Sequence, residues 1–191
     1  MTLEQFEAVV AEHRAAGKTR MVVPIARRLS ADWFTPVSAY AALRTLAGPT
    51  FLFESVEGGE HLARYSFLGA DPYLILRADG ASVAAERRRA PAPADIPQGH
   101  IYDVLDSLVS AYQEVDVAGL PRLVAGAVGY MGYDTIRLIE DIPEAHPAQA
   151  GDCPDAIWCF YDTMLAFDHV RHQIVLMSSA FVDPDGDLAS L

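Results

Sequence analysis

The chain is short of cysteine, short of cations, and without a long apolar run. Only Cys153 and Cys159 stand among its 191 residues. They supply neither a disulfide framework nor the paired spacings of a zinc site. Both are therefore expected as reduced core thiols in a cytosolic, cytoplasmic protein. Lys and Arg total 14 against 26 Asp and Glu, a formal net charge of −12. That field repels nucleic acid and anionic membranes, so neither is expected as a partner. The one basic run, Arg87-Arg88-Arg89, leads into the Pro-rich stretch Ala90–Pro97 and reads as a solvated loop. No apolar run approaches the roughly 18 residues that cross a bilayer. The amino terminus is amphipathic and acidic, unlike a signal peptide.

Catalytic signatures are scarce too. Gly126, Gly129 and Gly132 have neither the dinucleotide-fingerprint spacing nor the lysine of a phosphate-binding loop. They read as a strand packed against another backbone, with Gly132 supplying a turn. No serine sits in a G-x-S-x-G context. Asp168, His169 and His172 share a turn, but no third ligand follows at useful spacing, so a surface turn is expected rather than a metal site. Asp134 and Glu140 flank Arg137 at distances that suit surface ion pairs. No catalytic and no metal-ligating residue is assigned.

What is present is a globular composition, 51% hydrophobic and 21% charged, long enough for one domain with a sizeable core. Thr2 with Gln5 is a capping-box pattern that opens a helix to about Ala15, with Phe6, Val9, Val10 and His13 along one side. Met21–Ala26 reads as a strand. Thr35-Pro36 starts a second helix that runs to about Ala47. Strands follow over Phe51–Ser55, Tyr65–Gly69 and Tyr73–Arg77, and Asp79-Gly80 turns the chain into Ser82–Ala85. Ile101–Tyr112 carries Ile101, Leu105, Leu108, Val109 and Tyr112 at helical spacing. Leu123–Tyr130 reads as a buried strand, Tyr133–Ile139 as a short helix, and Ala156–Phe167 and Ile174–Ser179 as strands. Short connections between strands imply antiparallel pairing, hence an α+β fold with helices packed outside antiparallel sheets.

The most informative stretch is Phe51–Pro72. Its opening strand places Phe51, Phe53 and Ser55 on one side and Leu52 and Glu54 on the other. A carboxylate beside a hydroxyl after an apolar wall suits a small zwitterion, and Arg64 adds a cation where the chain returns. Leu52-Phe53-Glu54-Ser55 resembles the Leu-Leu-Glu-Ser segment of the anthranilate synthase large subunit, with Phe53 in place of the second leucine. Val22–Leu43, Ala125–Glu140 and Asp152–Asp168 resemble further segments of that family, in its order.

The resemblance implies an amino-terminal regulatory and structural domain over 1–191, half of an orthogonal β-sandwich. It implies an L-tryptophan feedback site drawing on Phe53, Glu54, Ser55 and Arg64. Arg64 would meet the effector carboxylate or simply neutralise Glu54. Three partners are implied: tryptophan, a glutamine amidotransferase small subunit, and a catalytic domain of the same protein that holds chorismate and Mg2+. Nothing in this chain resembles that catalytic domain, so the fragment alone is expected to be inactive and to hold no cofactor. Two other readings stay open. One is the same domain of aminodeoxychorismate synthase or of a salicylate-forming relative. The other is a free-standing amino-acid-binding module.

Overall fold

The computed structural model describes residues 1–54, 64–143, 153–184 and 186. It has an α+β architecture with mostly antiparallel sheets and few helices, as expected. The chain divides into two compact units. One comprises Met1–Pro72, Ala111–Gly126 and Tyr161–Leu191; the other comprises Tyr73–Ser110 and Ala127–Phe160.

The first unit opens with α1, Leu3–Ala15, whose Thr2 and Gln5 cap each other reciprocally. Phe6 and Val10 on α1 are buried and cluster with Met21, Val23, Val115 and Val182. Strand β1, Met21–Ser30, runs four residues beyond its expected end at Ala26. Its partner explains the extension: the long carboxy-terminal strand of this unit, Gln173–Val182, pairs with it antiparallel over its whole length. Helix α2, Pro36–Leu43, is shorter than expected and ends at Arg44. It presents Ala39, Tyr40 and Leu43 to a cluster holding Leu52, Leu68, Phe167 and Ile174. Val37 stays 56% exposed, so it is not part of that face.

Strands β2, Phe51–Phe53, and β3, Tyr65–Gly69, pair antiparallel, with Phe53 opposite Phe67. In the second unit β4, Leu74–Asp79, and β5, Ser82–Arg87, form the expected hairpin. Helix α3, Ile101–Ser110, buries Ile101 and Val104 but leaves Val109 61% exposed, against expectation. The first unit resumes with β6, Gln113–Glu114, an element with too few residues to show periodicity. It pairs parallel with Met21 and Val22, and the Val115 N–H donates to the Val22 carbonyl. Two residues on, the same side of β1 holds Pro24. Having no N–H, it cannot answer the Val115 carbonyl, and the ladder stops.

Strand β7, Gly126–Met131, is an edge strand of the second sheet and is half-exposed, not buried as expected. An added Cβ at Gly129 would collide with the Ile157 carbonyl and lie 2.8 Å from the Trp158 Cα, so close backbone approach is its role. Gly132 caps a 3-10 helix, Tyr133–Leu138, and its N–H donates to the Asp155 carbonyl at 2.6 Å.

The expected single strand Ala156–Phe167 is two strands in different sheets. These are β8, Ala156–Tyr161, and β9, Thr163–Asp168, with a break at Asp162. Strand β10, Gln173–Val182, completes a six-stranded sheet ordered β2-β3-β9-β10-β1-β6; the other sheet is ordered β5-β4-β8-β7. Cys159 is buried, whereas Cys153 is exposed and not the core thiol expected.

Candidate functional site

Strand β2 and the residue that follows it carry two of the expected site residues, Phe53 and Glu54. Leu52 turns to the α2 side and packs in that cluster. Phe51 and Phe53 turn the other way, as alternation requires, with ring centroids 5.0 Å apart. Phe51 packs closely on its β3 partner Gly69, where an added Cβ would collide with the Phe51 ring at Cε1. Its edge also meets Tyr161 at 5.1 Å, and the Tyr161 hydroxyl donates to the Pro49 carbonyl. Phe53 is 51% exposed at the strand end, and Glu54 after it is exposed. Ser55 lies outside the described residues.

Arg64 stands just before β3 and has a protein partner of its own. Its Nε and Nη2 donate to the two carboxylate oxygens of Asp168 at 3.2 and 2.8 Å. Asp168 is 5% exposed and ends β9, opposite Tyr65. It also accepts the N–H groups of Val170 and Arg171, closing the turn into β10. Burial works to raise the Asp168 carboxyl. The Arg64 hydrogen bonds, the Arg171 and Val170 N–H groups and the guanidinium charge outweigh it, and the carboxyl sits below its ordinary value. Next to this fork the His169 N–H donates to the Arg64 carbonyl, and buried Ser66 shares a 2.8 Å hydrogen bond with His169 Nε2.

The structure thus brings Arg64 to Asp168, and it places Phe53 at the end of the neighbouring strand with Glu54 just after it. Sequence reasoning missed Asp168, Ser66 and His169 as parts of one arrangement. Asp168 lies 104 residues from Arg64, and no local signal joins them.

The other polar features are simpler. Asp134 pairs with Arg137 at 3.2 Å, as expected. In the basic run, Arg88 pairs with Glu86 at 3.2 Å while Arg87 and Arg89 bond to the Pro93 and Ala90 carbonyls. A 540 Å³ cleft in the second unit takes in Ser82, Gln98, His100 and Asp103. Asp103 is in the first turn of α3, where a carboxylate suits the helix dipole. A 310 Å³ groove in the first unit is edged by Glu114, Asp116 and Arg122. Partial desolvation, and then the neighbouring Asp116 charge, raise the Glu114 carboxyl from its ordinary value. Among the described residues no three His, Cys, Asp or Glu side chains converge, and no helix is long and apolar enough to cross a membrane.

The chain is of the α+β class, built on mostly antiparallel sheets, with Phe53 and Glu54 exposed at the end of β2. Its sequence is homologous to the amino-terminal part of anthranilate synthase component 1. The Synechocystis sp. protein of that name is 35% identical over 88% of this chain and 32% of its own length. The Mycobacterium tuberculosis protein is 35% identical over 93% of this chain and 33% of its own length. Among solved structures, anthranilate synthase component I from Streptococcus pneumoniae TIGR4 matches with a TM-score of 0.49 at 24% identity, over 86% of this chain and 34% of that one. No family model matches. The chain therefore spans about a third of the length of the curated relatives it matches.

Proposed function

We propose that residues 1–191 act as the amino-terminal domain of an anthranilate synthase large subunit and carry part of its tryptophan feedback site. The observation that supports this most is 35% identity across 88% of the chain to a protein named anthranilate synthase component 1. In this reading the whole protein converts chorismate and ammonia to anthranilate and pyruvate, with ammonia delivered by a glutamine amidotransferase small subunit. The described residues offer no converging set of oxygen ligands for Mg2+. In this reading the metal and chorismate belong to the remaining two thirds of the protein.

Within the feedback site, Glu54 meets the effector ammonium in a charge-assisted bond and Ser55 supplies a hydroxyl. Phe53, half open at the end of β2, offers a ring to an indole. Arg64 is committed to Asp168, so it serves the site from the side rather than as a free cation.

The test uses the full-length protein in which residues 1–191 would form the amino-terminal third. Anthranilate fluorescence is followed with chorismate, ammonium and magnesium while tryptophan is titrated. Anthranilate formation with tryptophan inhibition is expected. Ser55→Ala should raise the inhibitory concentration, relative to that variant's own uninhibited rate, by roughly 2- to 100-fold, the range set by losing one hydrogen bond to a ligand. Glu54→Gln should fall near the top of that range. A different amination product, or an unchanged tryptophan response in both variants, refutes the reading.

A further inference from the structure

The Arg64 guanidinium makes two contacts at once. It grips Asp168 through both Nε and Nη2, and its Cζ lies 4.8 Å from the centroid of the Tyr65 ring. Tyr65 adjoins Phe67, with centroids 5.9 Å apart. Phe67 is the cross-strand partner of Phe53, and residues paired across antiparallel strands share a face. The guanidinium therefore heads a row of rings on one face of the sheet: Tyr65, Phe67, Phe53 and Phe51. Tyr65 and Phe67 are half-buried, and Phe53 is the most open of the four.

The two ends of the fork differ in rigidity. The Arg64 side chain is 42% exposed and flexible by nature, whereas Asp168 is 5% exposed. Four donors fix the Asp168 carboxylate, two from Arg64 and two from its own turn. Asp168 is the fixed point, and Arg64 is the arm it holds.

We propose that Asp168 is a positioning residue of the tryptophan site: it holds Arg64 over Tyr65 and so sets the row of rings beside which an aromatic amino acid packs at Phe53. This rests on the feedback reading of β2. It assigns Arg64 to ordering the aromatic wall rather than to binding the effector carboxylate. Cation–π contact is strongest when the cation is held in place over the ring, and a guanidinium released from Asp168 spreads over many rotamers.

The experiment uses the same full-length protein. Tryptophan inhibition is measured for each variant against its own uninhibited rate, and melting temperature is measured beside it. Asp168→Asn is expected to raise the inhibitory tryptophan concentration about threefold to tenfold, the scale of one cation–π contact. Arg64→Lys, which keeps the charge but loses the fork, should do the same. The double variant should be no worse than either alone, and Asp168→Glu should recover part of the response. If Asp168→Asn and Arg64→Lys lower the melting temperature but leave relative inhibition within twofold of wild type, the fork is structural only and the proposal is overturned. Additive losses overturn it as well, because they mean that the two residues act separately. Phe53→Ala and Glu54→Gln separate the two failures. If they weaken inhibition while Asp168→Asn does not, positioning alone is wrong; if they too leave it unchanged, the feedback reading of β2 has failed and the proposal falls with it.

Discussion

Gly129→Ala should be among the most damaging single-methyl changes in this chain. The glycine lies in β7, and the space its Cβ would need is held by backbone. The methyl would run into the Ile157 carbonyl oxygen and sit 2.8 and 2.9 Å from the Trp158 Cα and the Ile157 carbonyl carbon. Crowding by side chains costs about 1–3 kcal/mol, because rotamers give way. Here nothing can rotate, so the strands must part, and each ladder hydrogen bond lost adds about 0.5–1.5 kcal/mol. A loss of about 3–5 kcal/mol follows. For a chain of this size that lowers Tm by on the order of 10 °C, at about 2–4 °C per kcal/mol. Gly17→Ala is the matched control. Gly17 has φ 86° with no atom within 4 Å of an added Cβ, so only the left-handed backbone is penalised, by about 1–2 kcal/mol. Thermal melts of both variants, with hydrogen exchange read over β7 and β8, make the comparison. If Gly129→Ala shifts Tm no more than Gly17→Ala and leaves β8 protection unchanged, the close-approach argument is refuted.

Three further outcomes are expected. Asp168 has a folded carboxyl value below its unfolded one, so its contribution is present above about pH 4 and is lost as pH falls through the folded value. Urea melts should show Asp168→Asn about 1–3 kcal/mol less stable than wild type at pH 6, with the gap closing toward pH 3. Glu114 is shifted the other way, so its contribution is present below the unfolded value and is lost as pH rises through the folded one. Glu114→Gln should therefore stabilise by about 0.5 kcal/mol or less at pH 7 and have no effect at pH 3.5. With a thiol-reactive dye, exposed Cys153 should react rapidly in the native protein and buried Cys159 only on unfolding; two fast thiols would contradict the burial of β8.

Where chemistry is local, the sequence was a good guide. Reciprocal caps at Thr2 with Gln5 and at Thr35 with Ser38 start their helices because each pair satisfies backbone donors three residues apart. The β4–β5 hairpin turns at Asp79-Gly80, where φ at Gly80 is 53°. Strand β3 falls on its expected residues, and β2 shows the expected alternation at Phe51, Leu52 and Phe53. The signature around Glu54 was also legible, because it is contiguous.

Partners distant along the chain decided the rest. Ala156–Phe167 is apolar except at Asp162-Thr163, and one polar pair inside such a run does not say that the chain leaves one sheet for another there; each half is a strand because of what pairs with it. The length of β1 comes from β10, and the shortness of β6 from a proline on the strand beside it. Arg64 had two plausible carboxylates by sequence, an effector's or that of Glu54. The fold supplied a third at Asp168, across the β3–β9 register. Composition, caps, turns and alternation are properties of neighbouring residues, and the sequence alone determined them. Register, strand breaks and the pairing of buried charge are properties of residues far apart in the chain, and only tertiary structure brings those within the few ångströms at which hydrogen bonds and packing act.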